Sequence, residues 1–278
     1  MLVNSILVAG LVAATQVAAS PCKPPPKYKP IESIQLGPRP YWLVDDMSDS
    51  PVKKQLEECK DIKEFKPSAW SIAHRGGGTL FMPEHSVESN LAGARMGRGG
   101  LQAAYAQQLI DEYRQAGIDP RRVWPQSFHY PDILYWLDNE PAFGAQAVYL
   151  DENGETAATF PDAVANLTTY KADGVRIVAP PLPYLVTLDD GGRIVPSAYA
   201  TRANELGLEI ITWSLERSGV LSDGTKGGYY YTTIADAIQT DGDVFELLHV
   251  LAKDIGVLGV FSDWSATVTY YANCLGLF

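Results

Sequence analysis

The chain has 278 residues, 46% of them hydrophobic and 10% aromatic, with a formal net charge of −11 and a sequence pI near 4.8. That length and apolar content can bury a sizeable core in one large domain or two small ones. The acidity excludes partners recognised by neutralising a phosphate backbone or an anionic lipid surface, so nucleic acid is not expected as a partner.

The amino terminus, "MLVNSILVAGLVAATQVAAS", carries an apolar run from Ile6 to Ala14 and then small residues, with Val17 and Ala19 suitably placed for signal-peptidase cleavage. Residues 1–19 are therefore expected to be a secretory signal peptide. The run is too short to span a bilayer, which needs about 20 apolar residues, so no stable membrane anchor is expected. Secretion permits disulfides, and three cysteines are present, Cys22, Cys59 and Cys274, whose pairing the sequence leaves open. Asn166-Leu167-Thr168 is a glycosylation sequon.

Residues 20–66 form a proline-rich extension. Its opening, "PCKPPPKYKPIESIQLGPRP", has too many fixed backbone angles and missing donors for a regular element, whereas "SPVKKQLEECKDI" suits a short helix. From residue 67 to 278 short β-rich runs alternate with segments of helical period. The strand candidates are "AWSIAH", "RVWPQSF", "QAVYLD", "VRIVAP", "LEIITWSLE" and "VLGVFSD". Helical spacing recurs in "YAQQLIDEYRQAG", "FPDAVANLTTYKADG", "PSAYATRANELG" and "DVFELLHVLAKDIG". This alternation predicts an α/β fold with a mainly parallel sheet, either doubly wound or a (β/α)8 barrel. Both place ligands at the carboxyl ends of their strands, where His74, Gln126, Asp151 and Trp213 fall.

The stretch "SIAHRGGGTLFMPEHSVESN" concentrates the chemistry. An imidazole moves protons near neutral pH, a guanidinium forks onto phosphate or carboxylate, and glycines let backbone approach a ligand. The plainer reading is a histidine that ends a strand and an arginine in a surface ion pair. Elsewhere, His129 is expected on a surface loop and His249 off the apolar stripe of its helix, in solvent. Asp189 and Asp190 in "TLDDGG" suit a turn, as does "DENGE" at 151–155.

"IAHRGGG" followed by "MPEHSVESNLAGARMG" closely resembles the opening signature of the glycerophosphodiester phosphodiesterases. "LGLEIITWSLERSG" and "GVLGVFSDWSATVTYYANC" resemble the later strands of the secreted fungal branch of that family. The resemblance runs from about residue 70 to the carboxyl terminus. It implies a (β/α)8 (TIM) barrel that hydrolyses small-molecule glycerophosphodiesters to glycerol 3-phosphate and an alcohol, with a divalent cation, calcium or magnesium. Carried over by residue, His74 matches a catalytic histidine and Arg75 the arginine on the phosphate. Glu84 matches the glutamate that supports the site, and Trp213 an aromatic residue beside the substrate. Gln126 lies on the matching fourth strand, and Asp263 matches an aspartate of the last strand, a structural or rim position.

The chain also departs from the family. After "GARMG" the family continues into a second and a third strand that carry a Glu-x-Asp pair, a second histidine and a Glu-x-Lys element. Here "GARMGRGGLQAAYAQQLIDEY" passes directly to the helix before the fourth strand. The fold expected is thus an incomplete barrel with about six of its eight strands and two unpaired edges. The ligands of the implied cation are not found, and activity is expected to be weak or lost. The alternatives are an inactive paralogue or splice form lacking this segment and, behind it, a barrel glycoside hydrolase using two carboxylates.

Overall fold

In the computed structural model, six of the eight strands among the described residues lie in one parallel sheet. The structure describes residues 33–76, 106–217 and 219–278. In chain order the strands are β1 (Ser71–Ala73), β2 (Gln126–Ser127), β3 (Val148–Tyr149), β4 (Ile177–Val178), β5 (Val186–Leu188), β6 (Ile194–Pro196), β7 (Glu209–Thr212) and β8 (Gly259–Ser262). The large sheet runs β1-β8-β7-β4-β3-β2, every pair parallel, and β5 and β6 form a separate antiparallel hairpin. Each of the six expected strands is present.

The last strand pairs with the first, which is the closure of a barrel and decides against a doubly wound sheet. Among the described residues β1 and β2 each have one neighbour in the sheet, so the sheet is a curled half-barrel. The fold is an incomplete (β/α)8-like barrel. Residues 77–105, which include Glu84, His85 and the junction after "GARMG", lie outside the described residues, as do the signal segment and Cys22.

Strand alternation builds two cores. Val148, Leu150, Ile177, Ala179, Ile211 and Phe261 face inward and form one cluster, with Ile72, Trp124 and Trp213 packed on it. The intervening residues Tyr149, Val178, Ile210 and Val260 face outward into a larger core shared with the helices. Those helices are α1 (Arg39–Asp46), α2 (Pro51–Glu58), α3 (Ala106–Gln115), α4 (Tyr130–Asn139), α5 (Phe160–Ala172), α6 (Ala198–Glu205), α7 (Val244–His249, continued by a π-helix over Val250–Ile255) and α8 (Ser265–Leu275). The expected helices correspond to α2, α3, α5, α6 and α7. The α2 helix starts on a Ser50 cap, whose side chain accepts Lys53 N–H at 3.0 Å, and Pro51 occupies its first turn.

The extension from residue 33 packs on the barrel. Ser48 N–H donates to Asp243 at 3.2 Å, and Gly242 N–H donates to Asp46 at 3.2 Å. Cys59, just after α2, and Cys274 in α8 form a disulfide with their Cα atoms 5.6 Å apart. Asp189 closes the β5–β6 hairpin by accepting the backbone N–H groups of Gly191 and Arg193, each at 2.9 Å. That turn was expected, although the hairpin around it was not.

His249 corrects an expectation. It is half-buried instead of solvated, with Nδ1 3.0 Å from the Tyr271 hydroxyl and its ring edge-on to that tyrosine. Helical position alone overlooked α8, which covers this side of α7.

Candidate active site

The strand ends converge on a cavity of about 390 Å³. Of the residues read at strand ends, His74, Gln126 and Trp213 line it together with Arg75, whereas Asp151 does not. Leu150 and Phe261 supply apolar wall from the inner core. Glu84 lies outside the described residues.

His74 follows β1 directly. Its Nδ1 lies 2.9 Å from Asp263 Oδ1, and Ser214 Oγ is farther, at 3.4 Å. The side chains of His74 and Asp263 are only 15% and 22% exposed, so the pair is largely withdrawn from water. With Nδ1–H donated to a carboxylate, the ring tautomer is set and Nε2 becomes the nitrogen for proton transfer. Asp263, read from the last strand as a structural or rim position, is the carboxylate that holds this ring.

Arg75 has φ 48° and ψ 30°, the left-handed region that a non-glycine residue enters at a cost of about 1 kcal/mol or more. That backbone turn accompanies its place on the cavity wall. A second cation, Arg217, also lines the cavity, 3.7 Å from Asp263. Sequence reading did not single it out; its signal is a basic residue five positions after the end of β7. Two guanidiniums at one cavity make a local cationic site in an acidic protein.

The aromatic wall is held in place. Trp213 donates Nε1–H to Ala179 O at 2.8 Å and meets Phe128 and Tyr230 edge-on, with centroids at 5.7 and 6.0 Å. Burial raises the phenol pKa of Tyr230; its hydrogen bond with Ser214 and the positive Arg217 and Arg75 pull the other way.

Glu216 supports this end of the barrel from behind. It is half-buried, and Oε2 accepts from Ser262 Oγ at 2.6 Å and from Trp264 N–H at 3.2 Å, the two residues that flank Asp263. Burial raises its carboxyl pKa, while the Ser262 hydrogen bond, the Arg39 charge and the Trp264 N–H lower it.

Other candidates fall away from the cavity. His129 is exposed on the loop after β2, its Nδ1 3.2 Å from Asp132. Asp151 is buried on the outer side of the sheet, accepting from Tyr199 OH at 2.8 Å and from Asn153 N–H at 3.1 Å. Among the described residues no group of three or more His, Cys, Asp or Glu side chains is placed to hold a metal ion. None of the described residues that line the cavity is a carboxylate, and the nearest one named here, Asp263, is set against His74 and Arg217. By themselves these residues do not make the oxygen-rich cage that calcium or magnesium requires.

Fold and site together define an incomplete α/β barrel with a histidine–aspartate pair and two arginines at its strand ends. No family model matches the chain. Over 177 residues it is 46% identical to an extracellular protein of Arthroderma benhamiae, the match covering 63% of this chain and 72% of that protein. The chain belongs to the family of that extracellular protein. No helix among the described residues is long and apolar enough to cross a membrane.

Proposed function

We propose that the protein is a secreted phosphodiester hydrolase that binds glycerophosphodiesters in the 390 Å³ cavity and cleaves them, slowly, to glycerol 3-phosphate and an alcohol. One juxtaposition carries the reading: a histidine oriented by a carboxylate shares a cavity with two guanidiniums. The resemblance of "IAHRGGG" and of the later strands supports the same substrate class. The extracellular relative and the expected signal peptide support secretion.

In this reading Arg75 and Arg217 hold the phosphoryl oxygens, since a planar fork of donors suits them. His74 Nε2 accepts a proton from the attacking water as its oxygen bonds to phosphorus and returns one to the alcohol oxygen as that P–O bond breaks, while Asp263 stabilises the imidazolium between these steps. Trp213 and Phe128 cover the organic arm. A divalent cation would neutralise phosphoryl charge when bound. The elements that the resemblance assigns to such a cation are those that the sequence skips after "GARMG", which is why turnover is slow in this proposal.

A second reading, phosphodiester binding without turnover, is favoured by the lack of any carboxylate among the described residues that line the cavity. The purified chain, incubated with glycerophosphocholine and calcium or magnesium, should release glycerol 3-phosphate, and His74→Ala should abolish the release. Binding of glycerol 3-phosphate with no release in either protein supports the second reading. Neither binding nor release overturns both.

A further inference from the structure

A second cavity, of about 650 Å³, is built from the loop after β3, the start of α5, the turn after β4 and the 3₁₀ turn around Tyr229. Its wall is mainly apolar and aromatic. Tyr184 is 2% exposed, and its hydroxyl accepts Gly154 N–H at 2.6 Å. A Cβ on Gly154 would sit 2.9 Å from the Ala163 Cβ and 3.1 Å from the Tyr184 ring, so only glycine permits this approach. Phe160 meets Tyr184 edge-on with centroids 5.8 Å apart. Across the cavity Tyr229 is 40% exposed and is braced against Tyr230, centroids 5.2 Å apart.

The polar groups select among ligands. Thr156 is engaged with Thr159, Ser197 donates to Tyr184 O, and Thr232 donates to Tyr229 O. No lysine or arginine lines the cavity among the described residues, so its described wall offers nothing to hold an anion. Glu155 is its only carboxylate, exposed and without an ion pair among the described residues. Burial and then the Glu155 charge push the Tyr229 phenol up to about 12, so this carboxylate's field reaches the aromatic wall. Aromatic faces with one negative charge attract a cation that is itself greasy.

We infer that this cavity binds a small organic cation of the alkylammonium class, its substituents against Phe160 and Tyr229 and its charge facing Glu155. The inference does not depend on the phosphodiester reading, because the two cavities share no lining residue.

The test is calorimetric titration of the full chain with choline chloride and with 3,3-dimethylbutan-1-ol, a neutral molecule of the same shape. Choline should bind one to one and about tenfold or more tighter than the neutral analogue. Glu155→Gln and Tyr229→Leu should each weaken choline binding by roughly threefold to tenfold, a change of the size expected for a partly exposed cation–aromatic contact. Both positions are exposed, so the melting temperature should stay put, and His74→Ala should leave choline binding unchanged. Equal affinity for the two probes, absent choline binding, or sensitivity to His74→Ala but not to Tyr229→Leu each overturns the assignment.

Discussion

Nδ1 of His74 and Oδ1 of Asp263 stand 2.9 Å apart because β1 and β8 pair in parallel with Ala73 opposite Ser262, which makes these two residues the next rung. Pairing of the first and last strands thus creates the histidine–aspartate contact. Asp263→Asn keeps the shape but removes the negative charge that orients the ring. In the hydrolysis proposed above it should lower the rate on glycerophosphocholine about 10²- to 10⁴-fold, mainly in kcat and with little change in KM. Asp263→Ala should do the same with an unchanged circular dichroism spectrum. Full activity in Asp263→Asn would show that Asp263 is only a rim residue.

How much of this was legible follows from where each signal resides. The six barrel strands were readable because each is a short apolar run bounded by turn residues, and His74, Arg75, Gln126 and Trp213 because such strands end in a cavity. The His74–Asp263 contact was not, because 189 residues separate the partners and only the β1–β8 register unites them. Arg217 and Tyr230 reach the cavity from irregular turns after β7, where no period marks a direction. The β5–β6 hairpin was missed for a related reason: its strands are three residues each, and "TLDDGG" announces a turn without announcing what it joins.

Gly242 has a measurable role in docking the extension. A Cβ there would lie 2.2 Å from Leu43 O and 2.3 Å from Met47 N, and both obstacles are backbone. The residue is buried, so Gly242→Ala must push α1 off the start of α7 and break the Gly242–Asp46 and Ser48–Asp243 bonds. Overpacking of this kind costs about 1–3 kcal/mol, read as a lower urea midpoint. An unchanged midpoint would mean that α1 is not fixed where it lies.

The Cys59–Cys274 bond closes a loop of sequence separation 215, tying the end of α2 to α8. Cross-links over long loops restrict the unfolded chain most, so the double change Cys59→Ala with Cys274→Ala should lower stability by about 2–5 kcal/mol. Peptide mapping without reductant should recover the two segments joined, and urea unfolding supplies the energy. Separate peptides from the untreated protein would contradict the pairing.

The outer core sets an alkaline limit on stability. The rings of Tyr130, Tyr149 and Tyr170 pack against one another with centroids 4.9–5.1 Å apart, and Tyr199 is bonded to the buried Asp151. Burial raises the phenol pKa of all four, and nearby carboxylates, Asp173 at Tyr130 and Asp151 at the other three, raise it further. An unfolded tyrosine ionises near 10, whereas these hold their protons above that value. The unfolded state therefore binds fewer protons than the folded state above about pH 10, and stability must fall as pH rises there while remaining flat with respect to these groups below it. The melting temperature should be steady from about pH 8 to 9.5 and drop beyond about pH 10. Phenolate absorbance at these buried positions should appear together with unfolding. If all 15 tyrosines of the chain ionised near pH 10 with no loss of structure, the packing of this cluster would be wrong.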